Sequence, residues 1–138
     1  MLQINISQET GDVPVTVIGV AGQLDGQTYQ ELIRSAQEAH RSGAKNFLLD
    51  LSELTYISSA GLVALHTIAL FMRGEEIPDP EHGWAALKSV DRSRASGLQK
   101  HVKLLNPAPQ VANVLDMVGY TAIFEIFNDR KKALESYR

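Results

Sequence analysis

The sequence predicts an α/β fold: a mixed sheet of about five strands, mostly parallel in its core, with about four helices packed against it. Three observations carry this expectation. Short apolar or alternating segments recur along the 138 residues, with helical periodicity between them, as in chains built from strand–helix–strand units. The links are mostly short, which favours neighbouring parallel strands joined by crossover helices. Phe47-Leu48-Leu49-Asp50-Leu51 is almost continuously apolar, as expected of a strand covered on both faces.

The elements follow in order. Leu2, Ile4 and Ile6 alternate with polar residues, the mark of a half-buried strand. Gly11-Asp12 signals a turn, and Val15 to Val20 reads as a second strand. The short link makes the two a hairpin. Asp25 reads as the N-cap of a first helix from Tyr29 to His40, with Tyr29, Leu32, Ile33, Ala36 and Ala39 on one face. Ser42-Gly43 ends that helix. After the strand Phe47–Leu51, a second helix runs from about Ser59 to Met72. Residues 74–99 read as an irregular insertion rich in charge, glycine and proline, with a short helix around Trp84 to Val90. Val102 to Leu105 is the fourth strand. Asn106-Pro107-Ala108-Pro109 opens a third helix with Val111, Val114, Leu115 and Val118 on one face, and Gly119 closes it. Ile123 to Phe127 is the last strand. Asn128 or Asp129 caps a final helix carrying Ala133, Leu134 and Tyr137. Residues 1–138 thus read as a single domain.

Composition excludes several function classes. With 44% hydrophobic and 21% charged residues and a net charge of −3, the chain has no electrostatic footprint for nucleic acid or an anionic membrane. It has no cysteine. That removes disulfides, thiolate catalysis and zinc–thiolate sites, and it suits a reducing cytoplasm. Met1 to Ile6 lacks the basic start of a signal peptide. The longest apolar run, Leu62 to Met72, is far short of the ~20 residues that span a bilayer. A cytoplasmic location is therefore expected.

No phosphate loop, dinucleotide fingerprint or serine-hydrolase elbow is present. His40, His66, His82 and His101 lack metal-ligand spacing. No enzymatic activity, cofactor or metal is expected. Asp50, ending a core strand, reads as a carboxylate accepting backbone N–H bonds from a neighbouring loop. What remains is Ser58-Ser59, two hydroxyls at the start of the second helix. Ser58 suits the N-cap, its hydroxyl accepting the N–H two or three residues on. Ser59 would then be the first helical residue, near the exposed N-terminal turn and open to modification. Gly61 is unusual in a first turn, because it costs about 1 kcal/mol against alanine. It makes sense where something approaches the backbone closely. The second helix is apolar all round. Leu62, Leu65, Ile68, Ala69 and Met72 form one side, and Val63, Leu70 and Phe71 fall largely opposite, with Thr67 between. Such a helix is covered on both sides: by the sheet on one, and on the other by residues 74–99, a partner or a second copy.

These residues resemble a STAS domain, the family of sulfate transporter C-terminal domains and bacterial anti-sigma factor antagonists. The resemblance runs over residues 1–73 and 100–138. Its pieces are Gly22-Gln23-Leu24-Asp25, Leu48-Leu49-Asp50-Leu51-Ser52, Tyr56 to Leu65, Leu105-Asn106-Pro107 and Gly119-Tyr120. It implies one STAS-like domain acting as an antagonist: a binding module for an anti-sigma factor with serine-kinase activity, switched off by phosphorylation and reset by a serine phosphatase. In that family the loop before the second helix commonly reads Asp-Ser-Ser-Gly-Leu, and its first serine accepts the phosphate. Laid on Gly61-Leu62, the family pattern puts the acceptor at Ser59, with Ser58 as the alternative. Ser58 stands where the family has aspartate, and Ala60 where it has the second serine. The implied partner surface comprises Asp25, Ser58, Ser59, Gly61, Val63, Thr67, Leu70 and Phe71. A second expectation is a non-enzymatic STAS scaffold or homo-oligomer that works without phosphorylation.

Overall fold

The computed structural model describes residues 2–74 and 98–137. Alternation in the first segment gives β1 (Leu2–Thr10), which pairs antiparallel with β2 (Pro14–Leu24) in unbroken register from Leu2 opposite Gly22 to Thr10 opposite Pro14. The expected hairpin is present. α1 (Tyr29–Arg41) follows, burying Leu32 and Ala36. The apolar run becomes β3 (Phe47–Asp50), parallel to β2. α2 (Ser59–Met72), β5 (Val102–Leu105) and α3 (Pro109–Met117) lie where the periodicity places them. The remaining elements are β4 (Leu54–Ile57), a 3-10 turn at Tyr120–Ala122, β6 (Ile126–Phe127) and α4 (Arg130–Glu135).

The sheet order is β1-β2-β3-β5-β6, and every pairing beyond the hairpin is parallel. β4 also pairs with β2. It occupies the stretch Gly22–Leu24, beyond the part of β2 that pairs with β3. β3 and β4 together line one flank of the long β2. This sixth strand is absent from the sequence-based expectation.

Side chains divide between two sheet faces. Ile18, Val20, Phe47, Leu49, Val102 and Leu104 belong to the main core, with Leu32 and Ala36 of α1 and Ala64, Leu65, Ile68 and Ala69 of α2. A smaller cluster on the other face joins Val15, Val17, Leu48 and Leu105 to Ala133 and Tyr137. Tyr137 lies just past α4 rather than on it, and its hydroxyl donates to the Phe47 carbonyl at 2.5 Å.

One further expectation changes. The last strand shrinks from Ile123–Phe127 to Ile126–Phe127. Ile123 and Phe124 are buried core residues that follow the 3-10 turn, so their hydrophobicity reflects burial rather than pairing. Gly119 sits at φ 81° after α3, as a closing glycine should. Asp129 caps α4 by accepting the Lys131 and Lys132 N–H groups, deciding between the two candidate caps. The insertion expected at 74–99, with its helix at Trp84 to Val90, lies outside the described residues apart from its ends. Among the described residues, no helix is long and apolar enough to cross a membrane.

Candidate functional site

The site is built at the carboxyl ends of β2 and β4. Leu24 and Ile57 are register partners, so the residues that follow them, Asp25 and Ser58, leave the sheet side by side. The Ser58 N–H donates to the Leu24 carbonyl at 2.9 Å and ties the two exits together. Carboxyl ends of parallel strands are where open α/β sheets present their binding groups.

Ser58 is extended, at φ −96° and ψ 178°, and its side chain accepts the Gly61 N–H at 3.4 Å. Its carbonyl accepts the Leu62 N–H at 3.0 Å. It is therefore the N-cap. The long hydroxyl contact places its value near the bottom of the usual capping range. Ser58→Ala is expected to cost about 0.5–1 kcal/mol, seen as a lower urea midpoint at unchanged m-value. Ser59 is the first residue of α2 and is exposed. The first turn of α2 holds no acidic residue. Its leading N–H groups have no intrahelical acceptor, so this helix end carries uncompensated positive potential.

Gly61 is buried, and the reason lies within the chain. A Cβ there would stand 2.7 Å from both the Leu24 carbonyl oxygen and Ile57 Cγ1. The close approach read from the sequence is thus that of the strand ends against α2. Tyr120 secures the same turn from the other side: its hydroxyl donates to the Leu62 carbonyl at 2.6 Å. Burial raises the Tyr120 phenol above its ordinary range, keeping it a neutral donor.

Asp25 does not sit directly before α1 as its N-cap; Thr28 holds that position. Asp25 instead organises the turn upstream. Its carboxylate accepts the Gln27 N–H at 2.9 Å, and its carbonyl accepts those of Thr28 and Tyr29. The Thr28 hydroxyl faces Asp25 Oδ1 at 3.2 Å and the Gln23 carbonyl at 2.9 Å. This half-buried turn stands beside the Ser58 exit. Asp50 ends β3 and accepts from the Ser52 N–H at 3.0 Å and the Ser52 hydroxyl at 2.7 Å, the loop-holding role expected of it.

The outward residues proposed further along α2 need correction. Thr67, Leu70 and Phe71 are buried, at 2%, 2% and 9% exposure, whereas Val63 is half-buried. α1 packs along α2, and the His40 ring lies 5.5 Å from that of Phe71. The accessible part of α2 is its first turn. One surface residue escaped the sequence reading: Tyr56 on β4, 51% exposed. Its signal was a large aromatic immediately before the Ser58 loop. Among the described residues, no group of three or more His, Asp or Glu is placed to hold a metal ion.

The STAS domain family model matches residues 4–76. No curated protein matches the chain in sequence. Among solved structures, an anti-sigma factor antagonist from Mycobacterium paratuberculosis shares 17% identity over 100% of this chain and 95% of its own, at a TM-score of 0.67. A Thermotoga maritima protein provisionally assigned to the same class shares 18% identity over 96% and 94%, at 0.63. The Bacillus cell fate determinant SpoIIAA, in its phosphorylated form, shares 14% over 99% and 100%, at 0.54. At these identities the likeness is one of fold.

Proposed function

Since this chain belongs to the STAS domain family, we propose that it is an anti-sigma factor antagonist: a regulatory module that binds a serine-kinase anti-sigma factor and is switched off by phosphorylation of Ser59. The observation that carries this reading is the placement of Ser59. It is exposed at the first position of α2, and its neighbour Ser58 does the capping. Capping and phosphate acceptance fall to different hydroxyls, so modification leaves the cap intact. The family aspartate that Ser58 replaces is therefore not needed to hold the turn.

The switch is electrostatic. A phosphate adds about −1.5 to −2 charges. At the start of α2 the free N–H groups and the helix dipole tolerate that charge within the chain. Against a partner face shaped for the neutral hydroxyl, it brings repulsion and the cost of stripping water from a dianion. The surface concerned is the Asp25 turn, Ser58, Ser59, Val63 and the exposed Tyr56. Gly61 sits behind it and sets the approach of α2. The likeness to a protein known in a phosphorylated form supports the reading. A serine phosphatase would restore binding, and the exchange would take place in the cytoplasm.

The test is a calorimetric titration of the unmodified chain with serine-kinase anti-sigma factors from its own genome. Saturable one-to-one binding to one of them is expected. Absence of binding to all of them would count against the proposal.

A further inference from the structure

Among the described residues, the strand path β1-β2-β3-β5-β6 ends in two edges that are guarded differently. β6, at one edge, is a strand of two residues, one of the usual ways to blunt an edge. β1, at the other, runs for nine residues. It contains no proline, no lysine and no bulge, the other common protections. Its only charged residue is Glu9, which the chain neutralises itself through Arg130 at 2.9 Å.

The direction of its backbone groups follows from one hydrogen bond. The Thr16 N–H donates to the Asn46 carbonyl, on the β3 side of β2. Even-numbered residues of β2 therefore turn their polar groups toward β3, and odd-numbered ones toward β1. In the observed register odd residues of β2 face odd residues of β1. The N–H and C=O groups of Leu2, Ile4, Ile6, Gln8 and Thr10 consequently point outward from the sheet. Ile6, at the midpoint, is 45% exposed.

We propose that β1 is a homodimer edge, pairing antiparallel with β1 of a second copy about a twofold axis at Ile6. The strand is self-complementary in this register. Ile6 meets Ile6, Ile4 meets Gln8, Leu2 meets Thr10, Asn5 meets Ser7, and Glu9 meets the neutral Gln3. No like charges oppose each other, and all nine residues find partners. A twofold contact of one patch with itself closes at two copies, joining the two sheets into one. The edge lies across β2 from the Ser58 exit, so each copy keeps its own site.

Sedimentation equilibrium of the full chain over a wide concentration range tests this. A mass approaching twice 15.2 kDa is expected at high concentration. Ile6→Pro removes only an outward N–H and spares the β1–β2 ladder, so it should abolish the dimer while circular dichroism stays native. Ile6→Lys sets two ammonium groups together at the axis and should do the same. The chain has no cysteine of its own, so a single introduced thiol reports the register. Ile6→Cys should crosslink under mild oxidation, because directly opposed Cα atoms lie about 5.5 Å apart. Gln8→Cys should not, because its two copies would stand roughly 13 Å apart. A wild type that stays monomeric at every concentration overturns the proposal. So does a dimer that survives both Ile6→Pro and Ile6→Lys, or crosslinking through Gln8→Cys as fast as through Ile6→Cys.

Discussion

Ser59→Asp is expected to weaken binding to the proposed anti-sigma partner about a hundredfold while leaving thermal stability nearly unchanged. The two halves have separate causes. Ser59 is exposed at the head of α2, where no acidic residue is already present. A carboxylate at that position interacts favourably with the helix dipole, by about 0.3–1 kcal/mol. Stability should hold or rise slightly. Within a desolvated interface, a charge meeting no counter-charge costs several kcal/mol, and 2.7 kcal/mol corresponds to about two decades in affinity. Ser59→Ala, which adds no charge, should bind as the wild type does. Titration calorimetry and thermal melts on all three proteins separate the cases. An aspartate variant that binds at full affinity would refute the charge switch. One that melts much lower would show Ser59 to be structural.

Gly61→Ala should be the most damaging small substitution in the site. On an open helix this change would gain about 1 kcal/mol from helix propensity. Here the added methyl would stand 2.7 Å from a strand carbonyl and 2.7 Å from the Ile57 side chain. Ile57 can shift slightly, but the Leu24 carbonyl is fixed in the β2 strand end. Overpacking of this kind costs typically 1–3 kcal/mol, so a net loss of about 2 kcal/mol is expected after the propensity gain is set against the upper part of that range. Urea denaturation measures it. The substitution also pushes the first turn of α2 away from the Asp25 turn, so partner binding should fall with it. Equal or greater stability than wild type would show that the close approach does not constrain α2.

What the sequence revealed here depended on the range of the interactions involved. The Ser58 cap, the Asp50 loop contact and the Gly119 helix stop each involve groups within a few residues, and all were legible from local chemistry. β4 was not. Leu54 and Ile57 are buried with two exposed residues between them, so strand alternation is missing. The strand exists because it pairs with the bulged end of β2, far away in sequence. The burial of Thr67 and Leu70 was hidden for a related reason. A helical wheel shows that α2 is apolar all round, but it does not show that the folded chain covers both sides itself. The hydrogen bond from Tyr120 to Leu62 spans 58 positions and had no local signal. The neighbours that demand a glycine at position 61 likewise come from two separate strands.

The central claim is that Ser59, and not its capping neighbour, receives the phosphate. Incubation of the chain with the proposed serine-kinase anti-sigma factor and ATP, followed by fragmentation mass spectrometry of the Tyr56–Leu65 peptide, addresses it directly. A single phosphate on Ser59 is the predicted result. Phosphate on Ser58, or none on this peptide after the kinase has been shown to bind, would contradict it.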